Sequence, residues 1–434
     1  MEEVKVEVVR REVIKPSSPS THDRLQLSIL DLISPPGYVP VIFFYKAEDL
    51  ATVSPEVISR NLKTSLSETL SRFYPLAGRI EGVSIRCNDE GVVFNEARTD
   101  LLLSDFLRNI NMGSQQGFSP TTPGHSATEW PLLSVMVTFF GSGSGVAVSV
   151  SVSHRICDAA SLLTFVKDWA ATTAKGKSNE TIHFAETTIY PPPDHLSLRL
   201  PSTDSNIVNL TSKCVTNRFV FESCKIAELK RKAASETVPL PTRVEAISAL
   251  LWRCARNASR FNKVLPKPTL MLQLMDLRLR ILSTQDTIGN LRTSLLLKKG
   301  AESDLEICET VVAFRKAKEE VNGMIKENLQ GNTLGQYLLS VMGIFASEVI
   351  PDIDLYTMTS WCRKPFYEVD FGWGSPVWIG FASHNENRVL VALIDSKDGL
   401  GVEACINLPE QDMAVFLRDQ DLLTYAILNP PVLI

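Results

Sequence analysis

Residues 145–153, GVAVSVSVS, place valine at 146, 148, 150 and 152 with small residues between them. Side chains alternate sides along a strand, so this spacing predicts a strand with one continuous apolar face. His154 continues the valine parity, and the run then changes period. In AASLLTFVKDWAATTAKG, Leu162, Phe165, Val166 and Trp169 recur at helical spacing. A strand that passes so quickly into a helix belongs to a mixed α/β fold. It also sets His154 where the strand ends and Asp158 where the helix begins. That pair is either two ordinary polar residues closing a strand or the working pair of an enzyme.

The same periodicities organise the rest of the chain. Strands are expected in VKVEVVRREVI (4–14), LQLSILDL (25–32) and VPVIFFY (39–45). A helix follows in SPEVISRNLKTSLSETLSRF, announced by Ser54-Pro55 and ended by YPLAGRI. VSIRCNDEGVVFNEA reads as a hairpin turning at residues 88–91, and GSGSG as a second turn between PLLSVMVTFF and the valine run. Residues 186–212 are proline-rich and aperiodic, which suits a crossover between domains. Beyond them come a strand (CVTNRFVF), two helices (SCKIAELKRKAAS and PTRVEAISALLWRCARNAS) and strands in TLMLQLMDLR, RTSLLLKKG and NRVLVALIDS. At 434 residues the chain exceeds what one core usually holds, so two domains are expected.

Charge and composition remove several function classes. A net charge of -5 offers nothing to nucleic acid or to an acidic membrane surface. No apolar run reaches the roughly 18 residues of a membrane span, and MEEVKVEVVRREVIKPSSPS has no signal-peptide pattern, so a cytoplasmic protein is expected. The 8 cysteines are scattered without any C-x-x-C, which predicts reduced thiols and no metal site. GSGSG is left by a strand and not by a helix, so it is no phosphate loop. DFGWG (370–374) holds Asp-Phe-Gly without the other parts of a kinase. No G-x-S-x-G elbow accompanies His154 and Asp158, and no third ligand completes a metal site. What is left is a histidine general base without a protein nucleophile, one that would deprotonate a substrate hydroxyl or amine directly.

H-x-x-x-D at His154–Asp158 and DFGWG at 370–374 stand with FYPLAGR (73–79), PTRVEAISALLWRC (241–254), MDLRLR (275–280), IGN (288–290) and TSWCRKPFYEV (359–369). In these motifs the chain resembles, over essentially its whole length, the plant BAHD acyltransferases, and most of all their vinorine-synthase-like branch. At the coenzyme A loop DTIGNLRT replaces the YFGNC-type sequence of many anthocyanin-modifying members. The resemblance implies an α/β fold of two chloramphenicol-acetyltransferase-like domains, 1–185 and 214–434. They would be joined by a crossover at 186–213, with an active-site tunnel at their interface. A strand after DFGWG returns to the first domain in such proteins.

The implied reaction transfers an acetyl or other short acyl group from acyl-coenzyme A to a small-molecule alcohol, ahead of an amine, of alkaloid, terpenoid or steroid type. His154 would be the base. Asp158 would pair with an arginine to hold the histidine loop. Asp370 would be structural, with Arg278 as its partner and Arg280 second. Thr359 and Trp361 would face the tetrahedral intermediate, and both can donate to a developing oxyanion. Thr242, Gly289, Asn290 and Ser360 fall at positions of the coenzyme A pocket. No resident cofactor, no metal and a monomer are implied. The competing readings are a paralogue that binds acyl-coenzyme A without turnover and a thioester hydrolase.

Overall fold

The structure, a computed structural model, describes residues 4–34, 37–47, 53–120, 130–178, 181–185, 213–281, 287–328, 337, 341, 353–381 and 389–434. The crossover expected at 186–213 lies outside the described residues except for Lys213.

The valine run is strand Gly145–Ser153, buried at all nine positions. It lies inside a six-stranded sheet in the order Glu7–Ile14, Val92–Arg98, Leu133–Phe139, Gly145–Ser153, Tyr38–Lys46, Trp378–Gly380. Val146, Val148, Val150 and Val152 pack with Leu62, Leu66 and Leu70 of helix Pro55–Arg72 and with Leu162, Val166 and Trp169 of helix Ala159–Lys175. Each such side chain contributes about 1.5–3 kcal/mol relative to exposure. The opposite face is covered as well: Ala147 lies in a second cluster with Phe44, Phe106, Phe118 and Trp378. Trp378 belongs to the short strand that follows DFGWG and pairs antiparallel with Tyr38–Lys46.

The second sheet has seven strands, ordered Arg292–Lys299, Thr269–Asp276, Asp354–Ser360, Leu390–Asp395, Val402–Pro409, Cys214–Phe221, Ile427–Leu428. Thr269–Asp276, Asp354–Ser360 and Leu390–Asp395 run parallel. Their carboxyl ends therefore open on one edge, where ligands of α/β sheets usually sit. Helix Arg243–Asn262 covers this sheet, started by a Thr242–Glu245 capping box. The two sheets are tied by a buried trio in which Trp378 Nε1 donates to Glu403 Oε2 at 3.1 Å and Arg218 Nε donates to the same oxygen at 2.6 Å.

Two local expectations fail. Residues 25–32 are not one strand: Arg24–Gln26 is, but Ile29–Leu32 is a helical turn, because Ser28 and Asp31 cap one another. Nor do residues 83–97 form a hairpin. Ser84–Arg86 pairs with Arg24–Gln26 and Arg79–Glu81, whereas Val92–Arg98 pairs in the large sheet. Asp89 (φ 52°) and Gly91 (φ 91°) turn the chain between them, and a Cβ on Gly91 would meet Ile14 O at 2.5 Å.

Candidate active site

The strand ends with the His154 N–H donating to Gly37 O at 2.8 Å. The imidazole is half-buried, and its Nδ1 lies 3.1 Å from Asn290 Oδ1. The Asn290 Nδ2 donates to His154 O at 2.7 Å, which turns the amide oxygen toward the ring. Nδ1 therefore carries the proton and Nε2 keeps its lone pair. Burial, followed by the positive charge of Arg292, pushes the imidazole down to about 3, against smaller opposing effects of Asp158 and Asn290. The ring is neutral at physiological pH.

Asp158 caps helix Ala159–Lys175 by accepting from Ser161 N at 3.0 Å. Its two oxygens also take Arg278 side-on, Oδ2 from NH1 at 2.7 Å and Oδ1 from NH2 at 3.0 Å. Both partners are buried. Burial would raise the carboxyl, but the Arg278 charge and hydrogen bonds bring it down to about 2. Arg278 is thus the partner of Asp158 and not, as expected, of Asp370. Arg280 does not meet Asp370 either: it donates to Asn322 Oδ1 and Asp276 O.

Arg278 also donates to Gly289 O (2.8 Å) and Ser161 Oγ (2.9 Å). Gly289, at φ 140°, stands where a Cβ would come 2.8 Å from Ala185 Cβ. Gly289 and Asn290 therefore hold the histidine loop, and the Asn290 side chain, fully buried, is spent on protein partners.

Asp370 is exposed and binds its own loop. Its Oδ1 accepts from Gly372 N, Trp373 N and Gly374 N at 2.7, 2.9 and 2.8 Å. Both glycines have left-handed φ, 93° and 85°, as this wrap requires. The wrap presses Phe371 edge-on against Trp169. Asp370→Ala should therefore cost about 0.5–2 kcal/mol, the range for a lost backbone cap. It should not bring the larger loss of a buried arginine left without its partner. Urea unfolding of the purified variant measures this, and a loss above about 3 kcal/mol would contradict the assignment.

Thr359 and Ser360 end a parallel strand at the open sheet edge, both half-buried. Ser360 Oγ accepts from Cys362 N at 3.3 Å. Trp361 is buried, stacked on Phe366 (5.0 Å) and edge-on to Phe381 (4.7 Å). This turn is fastened to the histidine network. Lys364 Nζ donates to Asp276 Oδ2 at 2.8 Å, and Asp276 Oδ1 accepts from Arg278 N at 3.0 Å.

Residues 4–423 match the family described as Transferase family. The chain is 68% identical to BAHD acyltransferase BIA1 of Arabidopsis thaliana, over 99% of both chains. The chain belongs to the BAHD acyltransferase family. It is 31% identical to limonoid 21-O-acetyltransferase of Melia azedarach over 98% of this chain and 99% of that one. The crystal structure of vinorine synthase superposes with a TM-score of 0.82 at 30% identity, covering 97% of this chain and 98% of that one.

In this BAHD chain Thr242 spends its hydroxyl on the helix cap, accepting from Glu245 N at 3.2 Å. Beside that helix start Lys318 lies among Arg280, Arg315 and Arg363, with Glu245 as the carboxylate. Burial and the like charges hold its ammonium below the usual range, against the pull of Glu245. Glu245 already pairs with Arg315 at 2.7 Å, so positive charge is in excess here.

The sequence offers no sign of this cation group, because its members come from three separated segments. Nor does it show Asn290 as the partner of the His154 ring. Asp31, which holds Asn290, could have been noticed through its Ser-x-x-Asp capping box. Among the described residues no His/Cys/Asp/Glu group is placed to hold a metal ion, and no helix is long and apolar enough to cross a membrane.

Proposed function

We propose that the protein transfers an acetyl or other short acyl group from acyl-coenzyme A to a hydroxyl of a small plant metabolite or steroid, with His154 as general base. The neutral imidazole with a free Nε2 carries this reading. Nε2 takes the hydroxyl proton as the acceptor oxygen forms its bond to the thioester carbonyl carbon. The carbonyl oxygen becomes an anion, for which the Trp361 indole N–H and the Thr359 hydroxyl are the donors. The C–S bond then breaks, and the imidazolium returns the proton to the coenzyme A thiolate. Ser360 and Thr242 border the coenzyme A path. The excess positive charge of Lys318, Arg280 and Arg363 suits its phosphates. Acyl transfer to oxygen agrees with the name of the limonoid relative.

On the same reading residues 1–185 and 214–434 are the two acyltransferase domains, with 186–213 crossing between them. The protein works as a cytoplasmic monomer without a resident cofactor or metal. The eight unpaired thiols support a reducing compartment.

Coenzyme A release from acetyl-coenzyme A, measured with and without a panel of sterol, terpenoid and alkaloid alcohols, tests the function. Acceptor-dependent release with added acyl mass supports it. Acceptor-independent release means a hydrolase, and no release with saturable binding means a binding protein. For the oxyanion, Trp361→Phe keeps most of the ring volume and loses the donor. It should lower kcat by about 10²–10³-fold with little change in coenzyme A affinity, because the bond strengthens in the transition state. If affinity falls while kcat holds, Trp361 is a wall of the cofactor pocket.

A further inference from the structure

A buried carboxylate distant in sequence from both motifs has no part in that mechanism. Asp31 is 3% exposed, and each of its acceptor contacts is to a donor. Oδ2 accepts from Ser28 N at 3.1 Å and Ser28 Oγ at 2.7 Å. Oδ1 accepts from Asn290 N at 2.8 Å and Asn290 Nδ2 at 3.0 Å. Four donors and no acceptor describe an ionised group. Burial raises its carboxyl above the usual carboxylate range, and these hydrogen bonds offset only part of that rise. A four-residue helix could be capped at the surface by Asp or Asn without burying a charge. The Asn290 side of this carboxylate is what a cap does not explain.

We infer that Asp31 is a positioning residue: by clamping the Asn290 amide it keeps His154 as the Nδ1–H tautomer, with Nε2 free as the base. This rests on His154 being the base. The Asn290 amide has two orientations of nearly equal shape. In the one present, its NH2 faces two acceptors, Asp31 Oδ1 and His154 O, and its oxygen faces the Nδ1–H. Turned over, its oxygen would lie against a carboxylate and a carbonyl, two repulsive contacts at about hydrogen-bond distance. Its NH2 would then donate to Nδ1, moving the ring proton to Nε2 and removing the lone pair that takes the substrate proton.

The His154 carbonyl alone provides a neutral preference. The ionised Asp31 provides the stronger, charge-assisted one and fixes the Asn290 backbone at the same time. The relay runs from helix Ile29–Leu32 of the first half to the IGN loop of the second and back to His154. It therefore forms only when the two halves are docked.

The experiment uses the full chain labelled with ¹⁵N-histidine, with His154→Ala identifying the His154 signals among the 6 histidines. The wild-type protein should show a protonated Nδ1 and an unprotonated Nε2 at position 154. An Nε2–H tautomer there overturns the proposal without any activity measurement. In Asp31→Asn, the His154 signals should move toward Nε2–H. With them kcat should fall by roughly 10- to 10³-fold while both KM values stay within about twofold. If Asp31→Asn keeps the wild-type tautomer, the proposal is wrong whatever happens to kcat. Should that variant be insoluble, Asp31→Ser is read in the same way. A shifted tautomer with unchanged kcat would support the relay and instead contradict His154 as the base.

Discussion

His154→Ala is expected to lower kcat by about 10²–10⁴-fold while the protein stays folded, because the substrate hydroxyl loses its proton acceptor. The purified variant is assayed for coenzyme A release on the best acceptor, and near-normal turnover would refute the proposed mechanism. The wild-type pH profile carries a second signature. With the imidazole held at about 3, kcat/KM should stay flat as pH is lowered from 7 toward 4, where an ordinary histidine base would already be protonated. Stability follows the same shift. The folded imidazole titrates near 3 and the unfolded one near its usual 6.5, so across that window the unfolded chain binds more protons. Wild-type stability should therefore fall as pH drops from 6.5 toward 3, and more steeply than that of His154→Ala.

Asp158→Asn should destabilise the protein by about 3–5 kcal/mol, although asparagine can still cap helix Ala159–Lys175. The substitution keeps the volume and the Ser161 contact but removes the two-point partner of the buried Arg278, leaving it only the half-exposed Asp276 carboxylate at 3.3 Å. Arg278 also spans Ser161, Gly289 and Asp276, so turnover should fall along with stability. Urea unfolding at neutral pH reads the first effect and coenzyme A release the second. A loss below about 1 kcal/mol, the size of an exposed ion pair, would show that the pair is not buried in solution. Acidification affects this pair later than His154. The folded Asp158 carboxyl sits at about 2 against a usual 3.8, so its contribution is complete above 3.8 and disappears as pH falls through 2.

What a short window encodes is legible in the order of the residues. The period-two valines and the helical run after them place His154 at a strand end and Asp158 at a helix start, and both stand there. Such patterns are set by which faces of one element must leave water, so they can be read locally. The H-x-x-x-D and DFGWG segments, with their flanks, point to the family because their spacing and order are specific.

Local reading fails where neighbours in space decide. Residues 25–32 have strand-like alternation, yet a Ser28–Asp31 cap turns them into a helix that delivers a carboxylate to the other half of the molecule. The arginine for Asp158 lies 120 positions away, and the family resemblance implied it for Asp370, which in fact wraps its own loop. Asn290 reads as a cofactor contact from the motif its loop carries, but docking of the two halves turns its side chain onto His154. The sequence alone determined most of the elements and the family. Only the tertiary structure decided which buried donors meet which acceptors, because those pairings follow from burial summed over both sheets.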